Sequence, residues 1–269
     1  MPSRQSASLA TALLTTLAAS SPLQPRDCPA GFKNVVFNGG YNPSQFDQLS
    51  KAATNWITFG LGTDANRIPM MAFASDVGPA VDMVNSASPP EWMLTFNEPD
   101  YAYAGVSPTM SPQEAADAIK PLLASPGTKT KFVAPVTADP NSSWLPDFYA
   151  ACNCQSFFSA YNIHVYLPTA ERIQSGIQSF HDKFADKPIW VTELAPGNAD
   201  PACSLDWNAV TDIMNQVYSW AAGSGFVDKI FWNTGNEIDG NDHNVCNSYL
   251  LDFNNQPTPL LAAYEAVKC

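Results

Sequence analysis

Eight short apolar or β-prone runs punctuate this chain, at 34–38, 56–59, 67–73, 92–96, 131–136, 160–166, 189–193 and 227–232. Helix-patterned stretches fall between most of them, at 43–53, 78–86, 112–124, 144–151, 170–184 and 207–222, and a last one follows at 259–267. Strands that alternate with helices pair in parallel, because each helix carries the chain back to the end of the sheet where it started. Eight such units predict a closed (β/α)8 TIM barrel, an α/β fold that takes roughly 250 residues, and the chain has 269. No internal repeat, low-complexity run or linker marks a second domain. Ser111, with Pro112 behind it and Glu114 three residues on, reads as a capping-box start for the helix at 112–124.

Two of the runs end alike. Trp92-Met93-Leu94-Thr95-Phe96 leads into Asn97-Glu98-Pro99-Asp100, and Pro188-Ile189-Trp190-Val191-Thr192 leads into Glu193-Leu194-Ala195-Pro196. In each, an apolar strand delivers a glutamate and a proline then breaks the ladder, since proline has no N–H to give. A carboxylate at the mouth of a buried strand is costly to desolvate without a use for it. Parallel barrels do their chemistry at the C-terminal strand ends, so Glu98 and Glu193, 95 positions apart in sequence, are expected to meet there. A pair of carboxylates flanking a bond is what glycoside hydrolysis needs. Asn97, His164, Tyr166 and Trp232 fall at the same level, and His164 and Tyr166 share one face of their strand. Glu237, in the loop after the eighth run, is a further candidate contact to substrate, in a loop that also holds Asp239, Asp242 and His243.

The net charge of −12 and a pI near 4.4 argue against nucleic acid and against anionic membrane surfaces as partners. A neutral polysaccharide needs no charge partner, and aromatic residues, 12% of the chain, give faces on which sugars stack. Residues 1–20 read as a secretory signal: Arg4, an apolar stretch over 9–19, then the small residues Ala18 and Ser20. That stretch is far short of the roughly 20 apolar residues a membrane span needs. Residues 21–30 then form an N-terminal extension and 31–269 the catalytic domain, of a protein expected to be secreted, extracellular or in a cell wall. Six cysteines, an even number in an exported chain, point to disulfides. The pairing adopted is Cys28–Cys269, Cys152–Cys154 and Cys203–Cys246. Without a Cys-x-x-Cys pair, and with three scattered histidines, no metal site is expected. Asn141-Ser142-Ser143 is a glycosylation sequon.

Taken together, these motifs resemble glycoside hydrolase family 128, the β-1,3-glucanases of the "glycosyl hydrolase catalytic core" type, over residues 66–267. The likeness rests on Ile68-Pro69-Met70, Phe96-Asn97-Glu98-Pro99-Asp100, Ser111-Pro112-Gln113-Glu114-Ala115-Ala116, Trp144-Leu145-Pro146-Asp147-Phe148, Ile163-His164-Val165-Tyr166 and Lys187-Pro188-Ile189-Trp190-Val191-Thr192-Glu193, in that order. The resemblance implies a retaining, endo-acting β-1,3-glucanase without metal or organic cofactor, working as a monomer on β-1,3-glucan polysaccharide or oligosaccharide. It implies Glu98 as acid/base and Glu193 as nucleophile. Asn97 would hold the sugar 2-hydroxyl, Tyr166 would orient Glu193, and Trp232 would floor the central sugar site. The chain departs from the family pattern at Phe59-Gly60-Leu61-Gly62, where a Tyr-Asn-Trp-like run is usual, and at Leu194, where Phe is common. Those departures keep open a second class of function, a lectin-like barrel that binds β-1,3-glucan and turns it over weakly or not at all.

Overall fold

A computed structural model describes residues 27–39, 43–102, 109–197, 205–237 and 247–269. The signal-like segment, Cys203, Cys246, Asp239, Asp242 and His243 therefore lie outside the described residues. Among the described residues seven strands are formed: β1 (Lys33–Val36), β2 (Trp56–Ile57), β3 (Trp92–Leu94), β4 (Lys131–Val133), β5 (Tyr161–Tyr166), β6 (Ile189–Ala195) and β7 (Val227–Asn233). All paired strands run parallel, in the orders β2-β1-β7-β6-β5 and β3-β4. The third expected strand, 67–73, takes its place in the ring through single parallel bridges, Arg67 to Trp56 on one side and Met70 to Leu94 on the other. Pro69 sits in the middle of that segment and can donate no ladder hydrogen bond, which keeps it from forming a continuous strand. A bridge from Val133 to Ala160 joins β4 to the start of β5 and closes the circle. The fold is thus the expected barrel in a single domain.

The helices are α1 (Pro43–Leu49), α2 (Val77–Val84), α3 (Pro112–Ala124), α4 (Trp144–Cys152), α5 (Ala170–Lys183), α6 (Trp207–Ser224) and α7 (Pro259–Ala266). The predicted box caps α3: Ser111 Oγ accepts from the Glu114 amide at 3.2 Å, and the Ser111 amide donates to Glu114 Oε2 at 2.8 Å. Strand alternation sorts the apolar residues into two cores. Val36, Ile57, Ile68, Met70, Leu94, Val133, Trp190 and Phe231 fill the inside of the barrel. Their neighbours Val35, Met71, Met93, Phe132, Val191, Ile230 and Trp232 face outward and pack under the helices. The inside is therefore a plugged core, and the open ground lies above it, at the C-terminal strand ends. At the opposite end Cys28 is joined to Cys269 across 241 positions, and a second disulfide joins Cys152 to Cys154, as paired from the sequence.

Candidate active site

Two local departures from regular strand geometry bring both glutamates to the mouth of the barrel. Phe96 packs outward, so simple alternation two residues on would send Glu98 out as well. Glu98 instead takes a left-handed backbone, φ +41°, which costs a non-glycine residue energy and is most often found where function holds it. In β6, Val191 and Leu194 both face the outer core, with two residues between them where alternation allows one or three. The register agrees. From Val191 to Leu194 the strand advances three residues while its partners on β7 advance two, from Ile230 to Trp232. The extra residue is a β-bulge, and it turns Thr192 and Glu193 inward together.

His164, on β5, lies between the two carboxylates. Its Nδ1 is 2.7 Å from Glu98 Oε1, and its Nε2 is 3.5 Å from Glu193 Oε1 and 3.1 Å from Thr192 Oγ1. Thr192 donates its one hydroxyl proton to Asn162 Oδ1 at 2.5 Å, so it accepts from His164 Nε2–H. Nε2 is therefore a donor, and Nδ1 donates to Glu98 as well when the ring is an imidazolium. Burial, the largest influence, works against that charge. The negative charge of Glu193, the hydrogen bond to Glu98 and the charges of Glu98 and Asp100 outweigh it, and the ring's pKa is raised above its ordinary 6.5. One ligand-type atom each from Glu98, His164 and Glu193 lies within 4.8 Å of the other two. These three side chains are almost wholly buried.

Tyr166, two residues beyond His164 and on the same face, donates its hydroxyl to Glu193 Oε2. Burial first, and then the neighbouring Glu193 charge, hold the phenol well above its ordinary pKa, so it stays a donor. Asn97 stands next to Glu98 in the chain and is buried. Its Oδ1 is buried without a hydrogen-bond partner among the described residues, an arrangement that costs stability unless a ligand supplies the donor.

Two expected residues stand elsewhere. Trp232 does not face the mouth. It is fully buried, its ring 6.4 Å from that of Tyr218 on α6, and its Nε1 donates to the Ser248 carbonyl at 2.6 Å. Phe231 occupies the inward position, so Trp232 must point out, and the next inward residue is Asn233. The sugar floor expected of Trp232 is corrected accordingly. Glu237 lies past the end of β7, and its Oε2 accepts from the Phe253 amide at 3.1 Å, so its carboxylate fastens the stretch that follows β7. Four side chains in the site went unread in the sequence: Asn38, Asn162, Thr192 and Asn233. The signal of Asn38 and Asn233 was weak, since asparagine at a strand end usually marks a turn.

The glycosyl hydrolase catalytic core family model matches residues 35–264 of the chain. Among solved structures, a mutant of a glycoside hydrolase family 128 (subgroup I) endo-β-1,3-glucanase from Amycolatopsis mediterranei in complex with laminaripentaose is similar, with a TM-score of 0.70 at 19% identity over 88% of this chain and 100% of that one. A subgroup V exo-β-1,3-glucanase from Cryptococcus neoformans gives 0.67 at 20% identity over 88% and 99%. A subgroup VII oligosaccharide-binding protein from Trichoderma gamsii gives 0.67 at 17% identity over 93% and 96%. At such identities the likeness is one of fold. No curated protein sequence matches the chain.

Proposed function

We propose, from a chain that belongs to the glycosyl hydrolase catalytic core family, that the protein is a retaining β-1,3-glucan hydrolase acting within chains. The observation that carries the reading is the closeness of the carboxylates: an oxygen of Glu98 and one of Glu193 lie no more than 4.8 Å apart. Retaining enzymes hold their carboxyl groups about 5–5.5 Å apart, while inverting ones need roughly 6.5–9.5 Å to admit a water between them.

Glu193 then attacks the anomeric carbon as the glycosidic C–O bond breaks, and the leaving oxygen takes a proton from Glu98. A covalent ester to Glu193 results. Glu98, now a carboxylate, takes a proton from water, whose oxygen adds to the anomeric carbon as the ester bond breaks. Both glutamates return to their starting states. Tyr166 holds Glu193 through Oε2, and Asn97 Oδ1, buried and without a partner among the described residues, suits the donor of a sugar hydroxyl. The chemistry draws on side chains alone. The substrate class comes from the relatives, two of which are named as β-1,3-glucanases. Secretion through the segment at 1–20, attachment of a glycan at the exposed Asn141, and action as a monomer are part of the same proposal.

A second reading, an oligosaccharide-binding barrel, draws support from one observation. Trp232 is turned away from the mouth, so that position offers no aromatic floor to a sugar, and one relative is named as an oligosaccharide-binding protein. A product assay run beside calorimetric titration with the same laminari-oligosaccharides separates the two. Products with retained configuration support the hydrolase. Binding without product from acid to neutral pH supports the binder.

A further inference from the structure

The residue that takes the inward position beyond Trp232 is Asn233, and it is held from two sides. Asn38, two residues past the end of β1, donates its Nδ2 to Asn233 Oδ1 at 2.8 Å. Asn233 Nδ2 in turn donates to the Tyr166 hydroxyl at 2.6 Å, and that hydroxyl donates to Glu193 Oε2. Four strand ends thus contribute one group each. In the sheet β7 and β5 flank β6 on either side, so Asn233 and Tyr166 bracket the strand that bears Glu193.

The direction of the chain of bonds follows from counting protons. The Glu193 carboxylate can only accept, so Asn233 turns its amide toward Tyr166 and its carbonyl toward the Asn38 amide. A hydroxyl has one proton. Receiving a hydrogen bond from Asn233, Tyr166 must give that proton elsewhere, and Glu193 Oε2 is the acceptor it meets. Asn38 and Asn233 are 7% and 2% exposed, which leaves little room for water to replace either partner. The backbone is fixed as firmly as the side chains. The Ser248 hydroxyl donates to the Asn233 carbonyl at 2.7 Å, and the Gly235 amide donates to the Val36 carbonyl at 2.7 Å. A Cβ at Gly235 would stand 2.6 Å from the Phe37 ring, so glycine is required for β7 to approach β1 this closely.

We propose that Asn233, set by Asn38, is a positioning residue that commits the Tyr166 proton to Glu193, so that Glu193 presents its other oxygen to the sugar. The proposal rests on the hydrolase reading for its catalytic consequence and on geometry alone for the relay. His164 approaches the other carboxylate oxygen, Oε1, and takes no part in it.

The test uses three variants and two readouts. Asn233→Ala should lower kcat/KM on an activated aryl β-glycoside by about ten- to a hundredfold, the range for loss of a hydrogen bond acting on a charged group. In a Tyr166→Phe background the same change should cost nothing further, because the relay passes through the phenol. Asn233→Asp should be impaired at neutral pH, where the new carboxylate accepts the Tyr166 proton. It should recover on the acid side, where the protonated side chain again donates. The second readout is the Cζ signal of ¹³C-labelled Tyr166, which reports what the hydroxyl donates to without any turnover. It should move in Asn233→Ala and in Asn38→Ala, the latter serving also if changes at Asn233 prevent folding. Equal losses in the presence and absence of the phenol, an Asn233→Asp profile parallel to that of the native protein, or an unmoved Tyr166 signal would each overturn the relay. A native protein without hydrolysis would reject the hydrolase reading instead, and the Tyr166 signal would still decide the relay.

Discussion

The Nδ1 atom of His164 lies 2.7 Å from Glu98 Oε1, with the two side chains 1% and 8% exposed. A charged ring closed off with two carboxylates makes stability depend on pH in a definite direction. The pKa of His164 is raised in the fold, so the stabilisation is complete below its unfolded value of about 6.5 and is lost as pH rises through the folded value. His164→Gln, which leaves the carboxylates without their cation, should therefore cost on the order of 3 kcal/mol on the acid side. The gap from the native protein should narrow in alkali. Denaturant melts of both proteins from about pH 5 to about pH 9 measure this. A gap that widened with pH would contradict a charged His164.

The two glutamates should fail differently. Glu193→Ala should nearly abolish hydrolysis, and added azide, attacking from the vacated face, should give an α-glycosyl azide. Glu98→Ala should injure turnover of natural glucan most and of an activated aryl glycoside least, since a good leaving group needs little protonation. NMR of the first-formed product of the native protein should show the β-anomer. An initial α-anomer would exclude Glu193 as nucleophile.

Among the described residues, the large apolar side chains that stand exposed are Phe59, Tyr101 and Phe253, at 39%, 53% and 56%. Phe59 follows β2, Tyr101 follows Glu98, and Phe253 lies in the stretch after β7, so all three rise from the end of the barrel that holds the carboxylates. Rings left in water on that one face suit stacking against remote sugars. Phe59→Ala and Phe253→Ala should raise KM several-fold for long laminari-oligosaccharides and leave short ones unaffected, because binding at distant subsites is used only when the substrate reaches them. A chain-length series of kcat and KM is the measurement.

Disulfide removal should depend on loop length. Replacing Cys28 and Cys269 by Ser opens a closure of 241 positions and should cost about 2–4 kcal/mol. Replacing Cys152 and Cys154 opens a closure of two, and the chain-entropy argument gives it a much smaller effect. Thermal melts of the two double variants, with no reductant present, compare them directly.

The barrel was legible because parallel strands buried on both faces read as short apolar runs, and because caps such as Ser111 with Glu114 act over three residues. The carboxylates were legible because each ended such a run. What lay beyond reach depended on which way a residue faces. Phe231 and Trp232 are both apolar, so no pattern within β7 says which one points inward. The two inward residues Thr192 and Glu193 follow from a register slip that exists only against β5 and β7. Asn38 stands before two glycines and reads as the start of a turn. Its partner lies 195 positions away, a pairing that only closure of the ring supplies. The carboxylate of Glu237 was assigned outward to substrate, and a backbone amide 16 positions later had first claim on it.

The bulge in β6 makes the reaction sensitive to length as well as to identity. Between Val191 and Leu194 the strand holds one residue more than the neighbouring strand requires. Delete Thr192, and regular alternation returns: the strand could still pair and the outer core could still form. Shift the slip by one position toward the end of the strand, and Glu193 would trade its place above the barrel for one beneath a helix. Composition, fold and every side chain of the site would survive such a shift, and only the position of the extra residue would be wrong. A frame of this kind can lose its chemistry in one genetic step while keeping its shape, which gives a direct route from a hydrolase to a protein that merely holds the sugar.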